Sequence, residues 1–154
     1  MTTDDLLMVI LSLNADDAFR PRLDPGQWRT FLPYLAPQEL KAGELLIRHG
    51  EVDRTAYWIG QGMLQVFVPG ALGGAKVAIL RPGALVGEPG LFAGGERAAS
   101  VEAMTPSVVW ALRLPRFEEL CARAPVVALE TLRAAGGVMA LRLRANLLKQ
   151  TPMI

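Results

Sequence analysis

"VGEPGLFAGGERAAS", residues 86–100, sets Glu88 and Arg97 near opposite ends of a glycine-rich stretch, with Ala98 and Ala99 next. Pro89 and the glycines at 90, 94 and 95 make it a poor helix, and it reads no better as a strand. Arginine offers a fork of donors suited to a phosphate. Backbone N–H groups of a glycine-rich turn form a nest for anions. A carboxylate is the wrong group for a phosphate and the right one for a sugar hydroxyl. The stretch therefore suits a ribose with a phosphate close to its hydroxyl. The same spacing equally suits an internal Glu88–Arg97 salt bridge closing a surface loop. On either reading the loop is not core, so loss of Arg97 is expected to leave the fold intact.

Around this stretch, short apolar runs alternate with turn signals. The runs are 44–48, 55–60, 63–68, 76–80, 84–86, 98–103 and 107–114, and "HGEVD", "GQG", "PGALGG" and "RPG" separate them. Many short strands at close spacing predict an antiparallel sandwich or barrel. Helices flank it. Residues 4–14 open on two acids and close on Asn14, and their nearly continuous apolar surface needs cover. Residues 24–35 start with Asp24 as cap and Pro25 in the first turn, and Trp28, Phe31, Leu32 and Leu35 recur at core spacing. Residues 116–123 form a short helix before Pro125. Residues 126–149 form the longest one, which Gly136 and Gly137 interrupt as a hinge or a close helix crossing. The expected division of one domain is helices over 1–39, β structure over 40–114 and helices over 115–154.

The chain has 154 residues, 51% of them hydrophobic, 20% charged, with a formal net charge of +1. That composition folds, and it is not built for non-specific attraction to nucleic acid. Cys121 is the lone cysteine, which predicts a reducing, cytoplasmic setting and a small packed side chain. The acidic start is unlike a secretory signal, and the run Leu6–Leu11 is too short to span a bilayer. His49 is the only histidine, so zinc sites and a serine–histidine–acid triad have little to draw on. "GALGGAK" (70–76) lacks the glycine and the serine or threonine of a phosphate loop and reads as a hairpin turn. No nucleophile–base set points to an enzyme.

"GEPGLFAGGERAASVEA" (87–103) resembles the phosphate-binding cassette of the cyclic-nucleotide-binding domain family. The Glu88-to-Arg97 gap is similar to that of the cAMP-dependent kinase regulatory subunits. The resemblance spans roughly 40–146: residues 40–68 are similar to the opening strands, 80–88 to the approach to the cassette, and 116–125 to the B helix and the break before the C helix. It implies a mainly β jelly roll (a double-stranded β-helix barrel) with N-terminal helices and C-terminal B and C helices. By resemblance, Glu88 accepts from the ribose 2′-hydroxyl, Arg97 holds the cyclic phosphate, and the N–H groups of Gly87 and Ala99 assist. Ala98 stands where cGMP-selective members often carry threonine, which favours cAMP over cGMP. Pro89 replaces the usual leucine and removes one N–H. The C-helix turn over the base is expected to include Met139, Arg142 and Leu143, with Arg142 on the base.

A stand-alone cyclic-nucleotide sensor is therefore expected, without cofactor or metal, acting through an unidentified effector protein. The chain ends at Ile154, so no DNA-binding helix-turn-helix is expected, and no membrane segment. Val138, Leu141, Ala145 and Leu148 either seal the barrel or pair with a second copy in a homodimer. The other readings are an interaction domain of the same fold that binds no mononucleotide, or one that binds a cyclic dinucleotide. A nucleic-acid binder would need Arg133, Arg142, Arg144 and Lys149 to face DNA.

Overall fold

Residues 55–61, "TAYWIGQ", run apolar without alternation over Ala56, Tyr57, Trp58 and Ile59, a pattern that suits a strand dry on both sides. The computed structural model, which describes residues 1–70 and 75–150, buries Thr55 through Gly60. Helices α1 (Thr3–Ser12) and α2 (Pro25–Phe31) and a 3-10 turn at Leu32–Tyr34 lead into β1 (Ala36–Leu40), β2 (Leu45–Ile47), β3 (Thr55–Gln61), β4 (Leu64–Val68), β5 (Ala75–Leu80) and β6 (Leu85–Val86). Then come α3 (Glu88–Ala93), β7 (Ser100–Ala103), β8 (Ser107–Arg113), α4 (Leu114–Arg123) and α5 (Pro125–Gln150).

Two antiparallel four-stranded sheets result, in the orders β1-β8-β3-β6 and β2-β7-β4-β5. This is the expected mainly β jelly roll with flanking helices, its two sheets joined by packing rather than by one closed ladder among the described residues. Tyr57, Ile59, Val86, Val109 and Ala111 face the space between the sheets and meet Leu64, Leu80 and Val101 there. Ala56, Trp58, Leu85, Trp110 and Leu112 point the other way, into a core with Leu6, Ile10, Phe19, Phe31, Leu120 and Val138. Trp58 meets Phe19 and Phe31 edge-on at 5.1 and 5.5 Å.

Local signals explain most boundaries. Thr2 caps α1 and Asp24 caps α2, each with a reciprocal capping box. The aromatic stripe Trp28, Phe31, Leu32 and Leu35 is core, as its spacing predicts. Helix α1 is only half covered: Leu6 and Ile10 are buried, whereas Met8 and Leu11 are exposed. Strand β1 was not expected. Pro37 is tolerated there because β1 lies at the sheet edge, paired only to β8. Helix α5 runs through Gly136 and Gly137 without a break. A Cβ at either glycine would meet nothing within 4 Å, so no helix crosses closely there. Cys121 is exposed rather than packed. The 70–76 turn lies mostly outside the described residues, although its flanking strands β4 and β5 pair as a hairpin requires.

Candidate functional site

Residues 88–93 form a short helix, contrary to the expectation from Pro89 and the glycines. Gly87 at φ +82° makes the turn from β6 into α3, a conformation that costs other residues dearly. Pro89 sits in the first turn, where its missing N–H has no intrahelical partner to lose. Leu91 is fully buried and ties the helix to the core. At the far end, Arg54 Nε and Nη2 donate to the Leu91 carbonyl at 3.0 and 2.7 Å, placing a cation at the helix C-terminus.

The turn places both predicted charges inside. Glu88 is 2% exposed and Arg97 6%. They are not paired with each other, which overturns the surface-loop salt bridge. Arg97 instead spans the chain: Nη1 donates to Gly87 O at 2.8 Å and Nη2 to Thr55 O at 2.6 Å, with Asp53 Oδ2 at 3.5 Å. Thr55 Oγ1 donates to Asp53 Oδ1 at 2.9 Å and steadies that carboxylate. Gly90 makes room for the guanidinium, because a Cβ there would lie 2.3 Å from Nη1.

Glu88 meets Arg142 from α5. Arg142 Nη1 donates to Glu88 Oε1 at 3.1 Å, and Nε donates to Asp17 Oδ2 at 2.9 Å. Burial pushes the Glu88 carboxyl above its ordinary 4.5, while Arg142 pulls it back. Two polar atoms in this layer are buried without a hydrogen-bond partner: Glu88 Oε2 and Arg97 Nε. A buried acceptor and a buried donor left unmade are costly unless something completes them.

Both residues line a cleft of about 870 Å³, within the size range of small-molecule sites. Its floor is Gly87, Glu88, Arg97, Ala98 and Ala99, so the five ligand-binding residues expected in the cassette converge there. Val66, Ala78 and Leu80 make an apolar wall from β4 and β5. From α5 the lining residues are Arg142, Ala145 and Asn146, not Met139 or Leu143; Leu143 is 61% exposed. The turn over the cleft is therefore displaced toward the C-terminal end of the expected one. A fourth wall was not foreseen: Leu13, Asn14, Ala15 and Asp17, from the segment after α1. Asp53, Thr55 and Gly90 were also missed. Only the cassette spacing of Gly90 offered a signal for any of them.

Among the described residues there is no cluster of histidine, cysteine, aspartate or glutamate able to hold a metal, and no helix long and apolar enough to cross a membrane.

Comparison with known proteins fits this geometry. The family model described as "cyclic nucleotide-binding domain" matches residues 37–124. The cAMP-dependent protein kinase regulatory subunit of Blastocladiella emersonii is 35% identical over 99 residues, covering 64% of this chain and 25% of its own. This chain thus spans about a quarter of that relative's length. A crystal structure of a cyclic nucleotide-binding domain from Methylobacillus flagellatus superposes with a TM-score of 0.83 at 19% identity, over 99% of this chain and 84% of the other. The catabolite activator protein of Thermus thermophilus gives 0.75 at 26% identity, over 86% and 61%.

Proposed function

Because the chain belongs to the cyclic nucleotide-binding domain family, we propose that it is a cytoplasmic, non-enzymatic sensor that binds cAMP in preference to cGMP and signals through a partner protein. The observation that carries this reading is that two residues lining one cleft, Glu88 and Arg97, each keep a buried polar atom without a hydrogen-bond partner, Oε2 and Nε. A ribose hydroxyl donates to the first. A cyclic phosphate accepts from the second and from the N–H groups beside it. Calorimetric titration of the full chain with cAMP, cGMP and cyclic di-GMP tests it: cAMP is expected to bind one per chain and tightest. Heat from none of the three, or from the dinucleotide alone, removes the reading.

Two of the arginines on α5 favour a ligand over nucleic acid. Arg142 is held by Asp17 and Glu88, and Arg133 is paired with Glu130. Of the line Val138, Leu141, Ala145 and Leu148, Val138 is buried in the core while Leu141 and Leu148 stay exposed. A homodimer through α5 would use those two.

Two outcomes follow at the ribose and phosphate. Binding is expected to weaken as pH falls from neutrality toward the raised Glu88 pKa, beginning above the ordinary 4.5. The sign is fixed by competition: a proton on Glu88 must leave before the carboxylate accepts from the ribose. Glu88→Gln is expected to bind more weakly at neutral pH, to flatten that pH profile, and to make no difference for a 2′-deoxy analogue. Titrations from pH 7 to pH 5 check it; an unchanged profile in the variant counts against Glu88. Ala98 is exposed at the cleft. Ala98→Thr adds a hydroxyl there, worth roughly 0.5–1.5 kcal/mol to a guanine amino group, and competition binding is expected to move toward cGMP by a few-fold to about tenfold.

A further inference from the structure

The segment between α1 and α2 carries no helix or strand, yet it is fixed at several points. Phe19 is buried among Phe31 and Trp58. Arg20 Nη2 donates to Leu13 O at 2.8 Å, and the Arg22 N–H donates to Glu130 Oε1 on α5 at 2.8 Å. Its remaining anchor is Asp17, which holds Arg142 while Arg142 holds Glu88. One guanidinium therefore joins three distant pieces of chain: the N-terminal segment, the cassette and α5.

We propose that Asp17 is a positioning residue of the ligand site, and that occupancy of the cleft passes through Arg142 to the segment at 13–23. The proposal rests on the cyclic-nucleotide reading above. Glu88 presents two oxygens, and Arg142 occupies only Oε1. Oε2 is buried and unpartnered, so a hydroxyl that reaches it, once the side chains over it shift, does not have to take Oε1 from Arg142. Binding then completes the array: it fixes the Glu88 carboxylate, which fixes Arg142, which fixes Asp17. Leu13, Asn14 and Ala15 line the same cleft, so the segment that Asp17 tethers is also a wall of the site. Without Asp17, Arg142 has one carboxylate where it had two, and its side chain, already 27% exposed, is free to turn to water.

Electrostatics makes the test sharp. The charged residues lining the cleft are Arg81, Arg97 and Arg142 against Asp17, Glu88 and Glu96. A bystander carboxylate near an anionic ligand repels it, so neutralising a bystander tightens binding. Neutralising a positioning residue loosens it.

The full-length parent, Asp17→Asn and Asp17→Glu are titrated with cAMP, and hydrogen exchange is followed with and without cAMP. Asp17 is half-exposed, so the variants fold; thermal melting checks that. In the parent, cAMP is expected to slow exchange over 13–23 as well as over 86–100. Asp17→Asn is expected to bind cAMP three- to tenfold more weakly and to lose the protection at 13–23 while keeping that at 86–100. Asp17→Glu is expected to recover most of both. Equal or tighter binding by Asp17→Asn overturns the proposal, as does protection of 13–23 that survives the substitution or never appears in the parent. Absence of any cAMP heat in the parent identifies the failure as that of the sensor reading, and the proposal falls with it.

Discussion

Arg97→Ala is expected to weaken cyclic-nucleotide binding at least tenfold and to destabilise the protein as well. The binding loss follows from removing a charge-assisted donor to a phosphate, worth on the order of 1.5–3 kcal/mol. The second effect comes from the structure alone. The guanidinium is 6% exposed and donates to the carbonyls of Gly87 and Thr55; truncation leaves Gly87 O only the longer bond from the Leu91 N–H at 3.3 Å and takes a buried donor from Thr55 O. A buried group left without its partner costs about 1–3 kcal/mol. A spacing-based reading placed this loop outside the core and the arginine as dispensable to the fold; the burial and the partners of Arg97 correct that. Arg97→Lys separates the two effects, because it keeps the charge and loses the fork. Titration and denaturant midpoints, measured on all three proteins, check both. Parental affinity in the alanine variant would remove Arg97 from the phosphate site.

Gly90→Ala is the complementary experiment, because it leaves every charge in place. Its Cβ would lie 2.3 Å from Arg97 Nη1, 2.7 Å from Cζ and 2.9 Å from the Asp53 carbonyl. Neither neighbour yields cheaply: one is a buried side chain held by two carbonyls, the other is backbone. Either the guanidinium is driven from its carbonyls or α3 shifts away from the cleft floor. Overpacking of this sort costs about 1–3 kcal/mol. Affinity for cAMP is expected to fall at least tenfold, with a lowered denaturation midpoint. A variant that binds and melts like the parent would show that α3 adjusts freely, and the rigid cassette would have to be given up.

Much of this was legible one residue at a time. Alternating runs and glycine turns foretold the strands, Asp24 and Pro25 foretold the start of α2, and the stretch around Glu88 and Arg97 singled out two residues that line one cleft. What local rules missed were cases in which a tertiary contact overrides propensity. Leu91 holds α3 in the core despite a proline and a glycine in its first turns. Ala134, Ala135 and Val138, buried on either side of Gly136 and Gly137, carry α5 through where a break was expected. Pro37 hid β1 until its place at the sheet edge was known. In the site, two of the three partners of Arg97 lie 42 and 44 residues away, and those of Arg142 lie 54 and 125 residues away. No spacing rule spans such distances; only the fold brings them together.

The sheet β1-β8-β3-β6 separates two dry compartments, and its central strands β3 and β8 give alternate side chains to each. Stripping the helices away would expose Ala56, Trp58, Trp110 and Leu112 to water all at once. The loss of apolar burial would fall on the same two strands that hold the sandwich together. Detaching the helices is therefore costly for the sheet as well, and the core-facing turns of the helices are expected to unfold together with the sandwich that floors the ligand cleft.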